Sequence, residues 1–134
     1  ILGICLGMQL LFDSSEEFGF SRGLSLISGK VKKIKNINNT KLPNIGWRQL
    51  LTKKIIKSFI KGLEISDEFY FLHSFICAPK SKKNIIATTK YGNNNFASII
   101  QNKNIYGCQF HPEKSGTSGL KLIKNFVNIV NKKK

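Results

Sequence analysis

Apolar residues fill the first positions of the chain without polar alternation, so residues 1–4 read as the last part of a buried strand. Gly3-Ile4-Cys5-Leu6-Gly7 then turns the chain, and residues 8–12 continue as one or two apolar helical turns. The polar, glycine-containing stretch 13–23 predicts a loop, residues 29–34 a strand, and the Asn-rich stretch 36–41 an exposed turn. Strands follow at 68–76, 85–91, 96–101 and 105–110. Tyr91-Gly92-Asn93-Asn94-Asn95 and Asn102-Lys103-Asn104 supply turn chemistry between them, the second predicting a tight antiparallel hairpin. Over residues 118–130, Leu120, Ile123, Phe126, Val127 and Val130 recur at the spacing of an amphipathic helix, which runs into a solvated Lys132-Lys133-Lys134 tail. No internal repeat interrupts this order.

A chain of 134 residues that is 41% apolar can build one core, so residues 1–134 are expected to belong to a single domain. A buried strand starting at residue 1 has no preceding strand to pair with, and no Met opens the chain. Both features lead to the expectation that this is the C-terminal part of its domain, with N-terminal strands missing. No apolar run of about 18 residues suggests a membrane span, and the first residues lack the basic region of a secretory signal. Three cysteines at unpatterned positions do not suggest a disulfide framework and point instead to a reducing, cytoplasmic setting.

The formal charge of +15 raises the question of nucleic acid. The lysines are scattered, however, and no aromatic platform is interleaved with them. Stretches such as Lys32-Lys33-Ile34-Lys35-Asn36-Ile37-Asn38-Asn39 read as surface positions filled by Lys. Nucleic-acid binding is therefore not expected as the main function. An acidic protein partner or an anionic substrate would gain from the same field.

Cys5, flanked by Gly3 and Gly7 at a strand-to-helix turn, has the mechanics of a nucleophile elbow, in which small neighbours allow a tight turn that presents the central side chain. A helix start is expected to lower its thiol pKa, and the Leu6 N–H would face the oxyanion of a tetrahedral intermediate. A cysteine among apolar residues is equally at home as a small core hydrophobe. His111-Pro112-Glu113 adds the complementary groups. In an extended segment residues i and i+2 share a side, so His111 can act as general base while Glu113 fixes its tautomer. Taken by itself, that pair is also what a surface histidine beside a surface glutamate looks like. Cys77 and Cys108 read as strand residues without a catalytic role.

At Gly3-Ile4-Cys5-Leu6-Gly7-Met8-Gln9 and Gly107-Cys108-Gln109-Phe110-His111-Pro112-Glu113 the chain resembles the class I (triad) glutamine amidotransferases. Within that family it is most similar to the glutaminase subunits of histidine biosynthesis. The motifs carrying this are Leu10-Leu11-Phe12-Asp13-Ser14-Ser15-Glu16-Glu17, Pro43-Asn44-Ile45-Gly46-Trp47, Tyr70-Phe71-Leu72-His73-Ser74 and Glu113-Lys114-Ser115. The resemblance implies an α/β fold with a central, mostly parallel sheet flanked by helices and an antiparallel region in the C-terminal half. It implies a Cys5–His111–Glu113 triad that hydrolyses glutamine to glutamate and ammonia, with the Leu6 N–H at the oxyanion. It further implies that Gln9, His73 and Ser74 hold the substrate, without metal or cofactor. The ammonia would pass to a (β/α)₈-barrel cyclase subunit contacted through Trp47 and Lys114. Arg48 departs from the family at a position where Asn is common, and the glycine-containing loop that completes the family's oxyanion hole has no counterpart in these residues. Two alternatives share these motifs: a paralogue feeding ammonia to a sugar amidotransferase of surface-polysaccharide synthesis, and an inactive fragment that keeps only a binding role.

Overall fold

The computed structural model describes residues 1–52 and 58–132. Its ten described strands form three sheets. β1 (Leu2–Ile4), β8 (Ile85–Tyr91), β9 (Asn94–Asn102) and β10 (Ile105–Cys108) make a sheet in the order β1-β10-β9-β8. β2 (Phe12–Ser15), β3 (Ser21–Arg22), β4 (Ile27–Lys33) and β7 (Phe75–Pro79) make a second, ordered β3-β2-β4-β7, and β5 (Asn44–Gln49) pairs with β6 (Glu68–His73). Helix α1 (Leu6–Leu10) follows β1, and α2 (Gly116–Asn131) ends the fold.

The architecture is α/β, with the expected antiparallel C-terminal region. The expectation of mostly parallel pairing needs correction. Among the described strands only β1–β10 and β2–β4 run parallel, whereas β2–β3, β4–β7, β5–β6, β8–β9 and β9–β10 are antiparallel. For β8–β9 and β9–β10 the reason is connection length: parallel neighbours need a crossover, while two-residue turns force antiparallel pairing. Gly92-Asn93 closes β8 onto β9, and Lys103-Asn104 closes β9 onto β10 as the sequence predicts.

Three more expectations shift. Residues 13–23, expected as a loop, contain most of β2 and all of β3. The strand expected at 68–76 is two strands, broken at Ser74, and β5 had no sequence forecast. Helix α2 forms, but it buries Gly119 and Leu122, with Phe126 and Ile129 against the core. Leu120, Val127 and Val130 stay exposed. The helix carries two adjacent apolar stripes, and periodicity does not say which one the core takes. Of the lysine tail, Lys132 is exposed and Lys133 and Lys134 lie outside the described residues.

Two clusters of buried side chains hold these layers. Phe59, Phe69, Phe71, Phe96, Ile99, Tyr106, Phe110 and Leu122 pack between the first sheet, the β5–β6 pair and α2. Met8, Leu11, Phe12, Ile27, Val31 and Ile100 fill the space beneath α1. Residues 1–4 are only partly the buried strand expected: Gly3 is buried, while Leu2 and Ile4 are half-buried. Among the described residues no helix is long and apolar enough to cross a membrane.

Candidate active site

Parallel pairing of β1 with β10, in the register Ile4↔Cys108, sets the site. Cys5 leaves the carboxyl end of one strand and Gln109, Phe110 and His111 leave the same end of its neighbour. That end of a parallel pair is where α/β folds gather reactive groups. The Cys5 N–H still donates to the Cys108 carbonyl at 2.8 Å, so the elbow begins within the sheet. Cys5 then adopts φ +51° and ψ −108°, a left-handed conformation that costs an L-residue about 1–3 kcal/mol and marks a held turn. Gly3 makes the turn sterically possible. A Cβ there would lie 2.6 Å from the Gly7 carbonyl oxygen. Gly7 itself faces open space, so packing within the described residues demands only the first of the two glycines.

Cys5 is half-buried, and its environment differs from the expectation of a depressed pKa. Burial, the largest influence, pushes the thiol above its ordinary value, and the negative charges of Glu113 and Glu17 act in the same direction. The Leu6 N–H and the Gln109 side chain oppose the rise without cancelling it. A five-residue helix has too little dipole to win against desolvation. The resting sulfur is a thiol, and Sγ lies 3.7 Å from the Leu72 carbonyl, which it can use as an acceptor.

His111 Nδ1 is 2.7 Å from Glu113 Oε1. The backbone reaches this pairing differently from the extended segment expected. His111 is extended, but Pro112–Lys114 form a 3₁₀ turn that folds Glu113 back onto the ring. With Nδ1–H directed at the carboxylate, Nε2 is left as the basic nitrogen. Sequence reading missed what fixes this histidine. Its N–H donates to the Tyr70 carbonyl at 2.9 Å and its carbonyl accepts from Ser115 Oγ at 2.6 Å. The same Oγ accepts from the Tyr70 N–H at 2.9 Å. Ser115 is buried and ties His111 to β6.

A cavity of about 430 Å³ opens in front of Cys5. Leu6, Gln9, His73 and Ser74 all line it, as do Glu17 and Arg22 from the β2–β3 region, where the sequence predicts plain loop. Trp47 lies away from it on β5, half exposed, with its ring edge-on to Tyr70 at 5.8 Å. Lys114 is exposed beside Glu113.

His73 is buried and its two nitrogens are both engaged. Nδ1 donates to the Phe75 carbonyl at 2.9 Å, so Nε2 accepts from Asn44 Nδ2, also at 2.9 Å. Burial, with smaller contributions from Arg48 and His111, lowers its pKa to about 4, so the ring is neutral. Cys77 and Cys108 are buried, and burial raises both thiols. Both lie in strands, Cys77 in β7 and Cys108 in β10, as the sequence reading placed them.

Known proteins similar to this chain fall into one family. The family profile described as glutamine amidotransferase class-I matches residues 1–130. Imidazole glycerol phosphate synthase subunit HisH of Pyrococcus furiosus is 49% identical over 125 residues, covering 93% of this chain and 62% of the relative. The HisH subunit of Pelagibacter ubique is 46% identical over 130 residues, and HisH 1 of Methanococcus maripaludis 46% over 129, each covering 96% of this chain and 62% of the relative. The chain thus spans about 62% of the length of these curated relatives. A crystal structure of a candidate GMP synthase component from Thermoplasma acidophilum superposes with a TM-score of 0.67 at 22% identity, covering 96% of this chain and 56% of that one. That likeness concerns the fold.

Proposed function

The chain belongs to the class-I glutamine amidotransferase family, and from that premise we propose that it carries the nucleophile, base and orienting carboxylate of a glutaminase. We propose further that this glutaminase is the HisH-type subunit of an imidazole glycerol phosphate synthase, passing its ammonia to a cyclase subunit in histidine biosynthesis. The observation that carries the chemistry is the β1–β10 register, which brings Cys5 and the His111–Glu113 pair to one end of one sheet. The identities of 46–49% with HisH subunits support the pathway.

The reaction follows from the groups present. His111 takes the Cys5 proton through Nε2, because Nδ1 is committed to Glu113. The thiolate attacks the side-chain amide carbon of glutamine, and the Leu6 N–H stabilises the resulting oxyanion. Collapse of the tetrahedral intermediate breaks the C–N bond. The proton on His111 goes to the departing nitrogen, leaving ammonia and a Cys5 glutamyl thioester. Water, deprotonated by His111, then attacks the thioester and releases glutamate, and the proton returns to sulfur. Since burial keeps the resting sulfur protonated, turnover depends on His111 as base.

The cavity suits an α-amino acid. Glu17 and Arg22 supply opposite charges on its β2–β3 wall, matching the ammonium and carboxylate of a zwitterion, and Gln9 and Ser74 face the same space. His73 acts mainly by tying β5 and the start of β7 together beside the cavity, because neither ring nitrogen is left for substrate. Trp47 and Lys114 are the residues proposed to meet a (β/α)₈-barrel partner, and their exposure leaves them accessible to one. The free thiols of Cys5, Cys77 and Cys108 support a cytoplasmic setting. The test is addition of the cognate barrel cyclase with its ligand to the full-length protein. Glutamate production is expected to rise well above the basal rate, and an unchanged rate would contradict the histidine-pathway assignment.

A further inference from the structure

Among the described residues, one polar network runs from Arg48 to the Cys5 sulfur, and the donor–acceptor sense of every link is forced. At one end Arg48 can only donate, and its Nε gives to Asn44 Oδ1 at 2.6 Å. Asn44 must therefore turn its amide nitrogen to His73 Nε2, which leaves Nδ1–H for the Phe75 carbonyl. From the other side the same carbonyl, which can only accept, takes a hydrogen bond from Gln9 Nε2 at 3.1 Å. The second hydrogen of that nitrogen goes to Gln109 Oε1 at 3.3 Å. Gln109 is then compelled to aim its own amide nitrogen at Cys5 Sγ, 3.8 Å away.

We infer that Gln109 is a thiolate-holding residue of the site, kept in its donating orientation by Gln9. Its side chain is completely buried, and its amide oxygen is taken by Gln9 Nε2, so no other orientation satisfies its neighbours. The sulfur sits between an acceptor, the Leu72 carbonyl, and a donor, the Gln109 amide. The thiol can give its hydrogen to the first, whereas a thiolate gains from the second, as it does from the Leu6 N–H. Gln109 thus favours the charged form that attacks substrate. Gln9, placed by the sequence among the substrate-holding residues, has spent both amide hydrogens inside the protein and offers only its oxygen to the cavity.

This inference rests on reading Cys5 as the nucleophile, but its test does not require turnover. Iodoacetamide alkylation of Cys5 in the full-length protein is followed between about pH 6 and 10 by mass spectrometry of the Cys5 peptide, without glutamine. Gln109→Met, which keeps the bulk and removes the donor, is expected to move the midpoint upward and slow alkylation about three- to tenfold near neutrality. Gln109→Glu should move it further in the same direction. In the unmutated protein the Gln109 side-chain amide resonance should titrate with the Cys5 midpoint. An unshifted profile in a folded Gln109 variant, or an amide signal that stays flat while Cys5 titrates, would overturn the inference. A shifted profile in a protein that never consumes glutamine would leave it standing and defeat the amidotransferase reading instead.

Discussion

Nδ1 of His111 lies 2.7 Å from Oε1 of Glu113, two positions along the chain, because the 3₁₀ turn starting at Pro112 folds the carboxylate back under the ring. The tautomer of His111 is consequently set by three consecutive residues. Its position is set by Tyr70 and Ser115, which hold the His111 backbone from a different part of the fold.

Glu113→Gln retains a side chain of the same shape but removes the charge that supports the imidazolium and permits the opposite tautomer. Glutaminase kcat is expected to fall by roughly 10²–10⁴ with little change in thermal stability, since Glu113 is exposed. Steady-state kinetics alongside a melting curve would check both halves.

Ser115→Ala separates positioning from chemistry. The variant loses the bond to the His111 carbonyl and leaves the Tyr70 N–H without its 2.9 Å acceptor. Destabilisation of about 1–3 kcal/mol is expected from the stranded backbone group, measured by denaturant unfolding. Turnover should drop as well, because His111 is released from β6.

His73 makes folding acid-sensitive in a defined window. Its folded pKa of about 4 lies below the ordinary histidine value of 6.5, so the unfolded chain binds the proton more readily. The associated stability is complete above about pH 6.5 and is lost as the pH falls toward 4, amounting to roughly 3 kcal/mol at most. Unfolding titrations at pH 7 and near pH 4.5 should show a smaller difference between the two conditions for His73→Gln than for the unmutated protein. An equal difference would remove His73 as its source.

The proposed catalytic groups were legible in the sequence because each sits in a local pattern with a mechanical reason. Gly3 lets the elbow close around Cys5, and Pro112 starts the turn that returns Glu113 to His111. Their proximity was not legible, since it depends on a parallel register between residues 2–4 and 106–108. The same limit hid Ser115, Asn44 and Gln109. Each is a polar residue in or beside an apolar segment, and its role is defined by a partner 29 to 104 positions away. The β2–β3 wall was missed for another reason: Asp13, Ser14 and Ser15 carry the composition of a loop, while pairing to β4 and β3 makes this stretch sheet. Burial, too, was unreadable at Cys5. Flanking residues suggested a helix start that would acidify the thiol, and desolvation reverses that sign.

Covalent labelling of the full-length protein by a glutamine-mimicking electrophile tests most directly whether Cys5 is the glutaminase nucleophile. One adduct is expected, mapped to Cys5, blocked by excess glutamine and absent in Cys5→Ala, which should also produce no glutamate. An adduct on another residue, or glutamate production that persists in Cys5→Ala, would contradict that role.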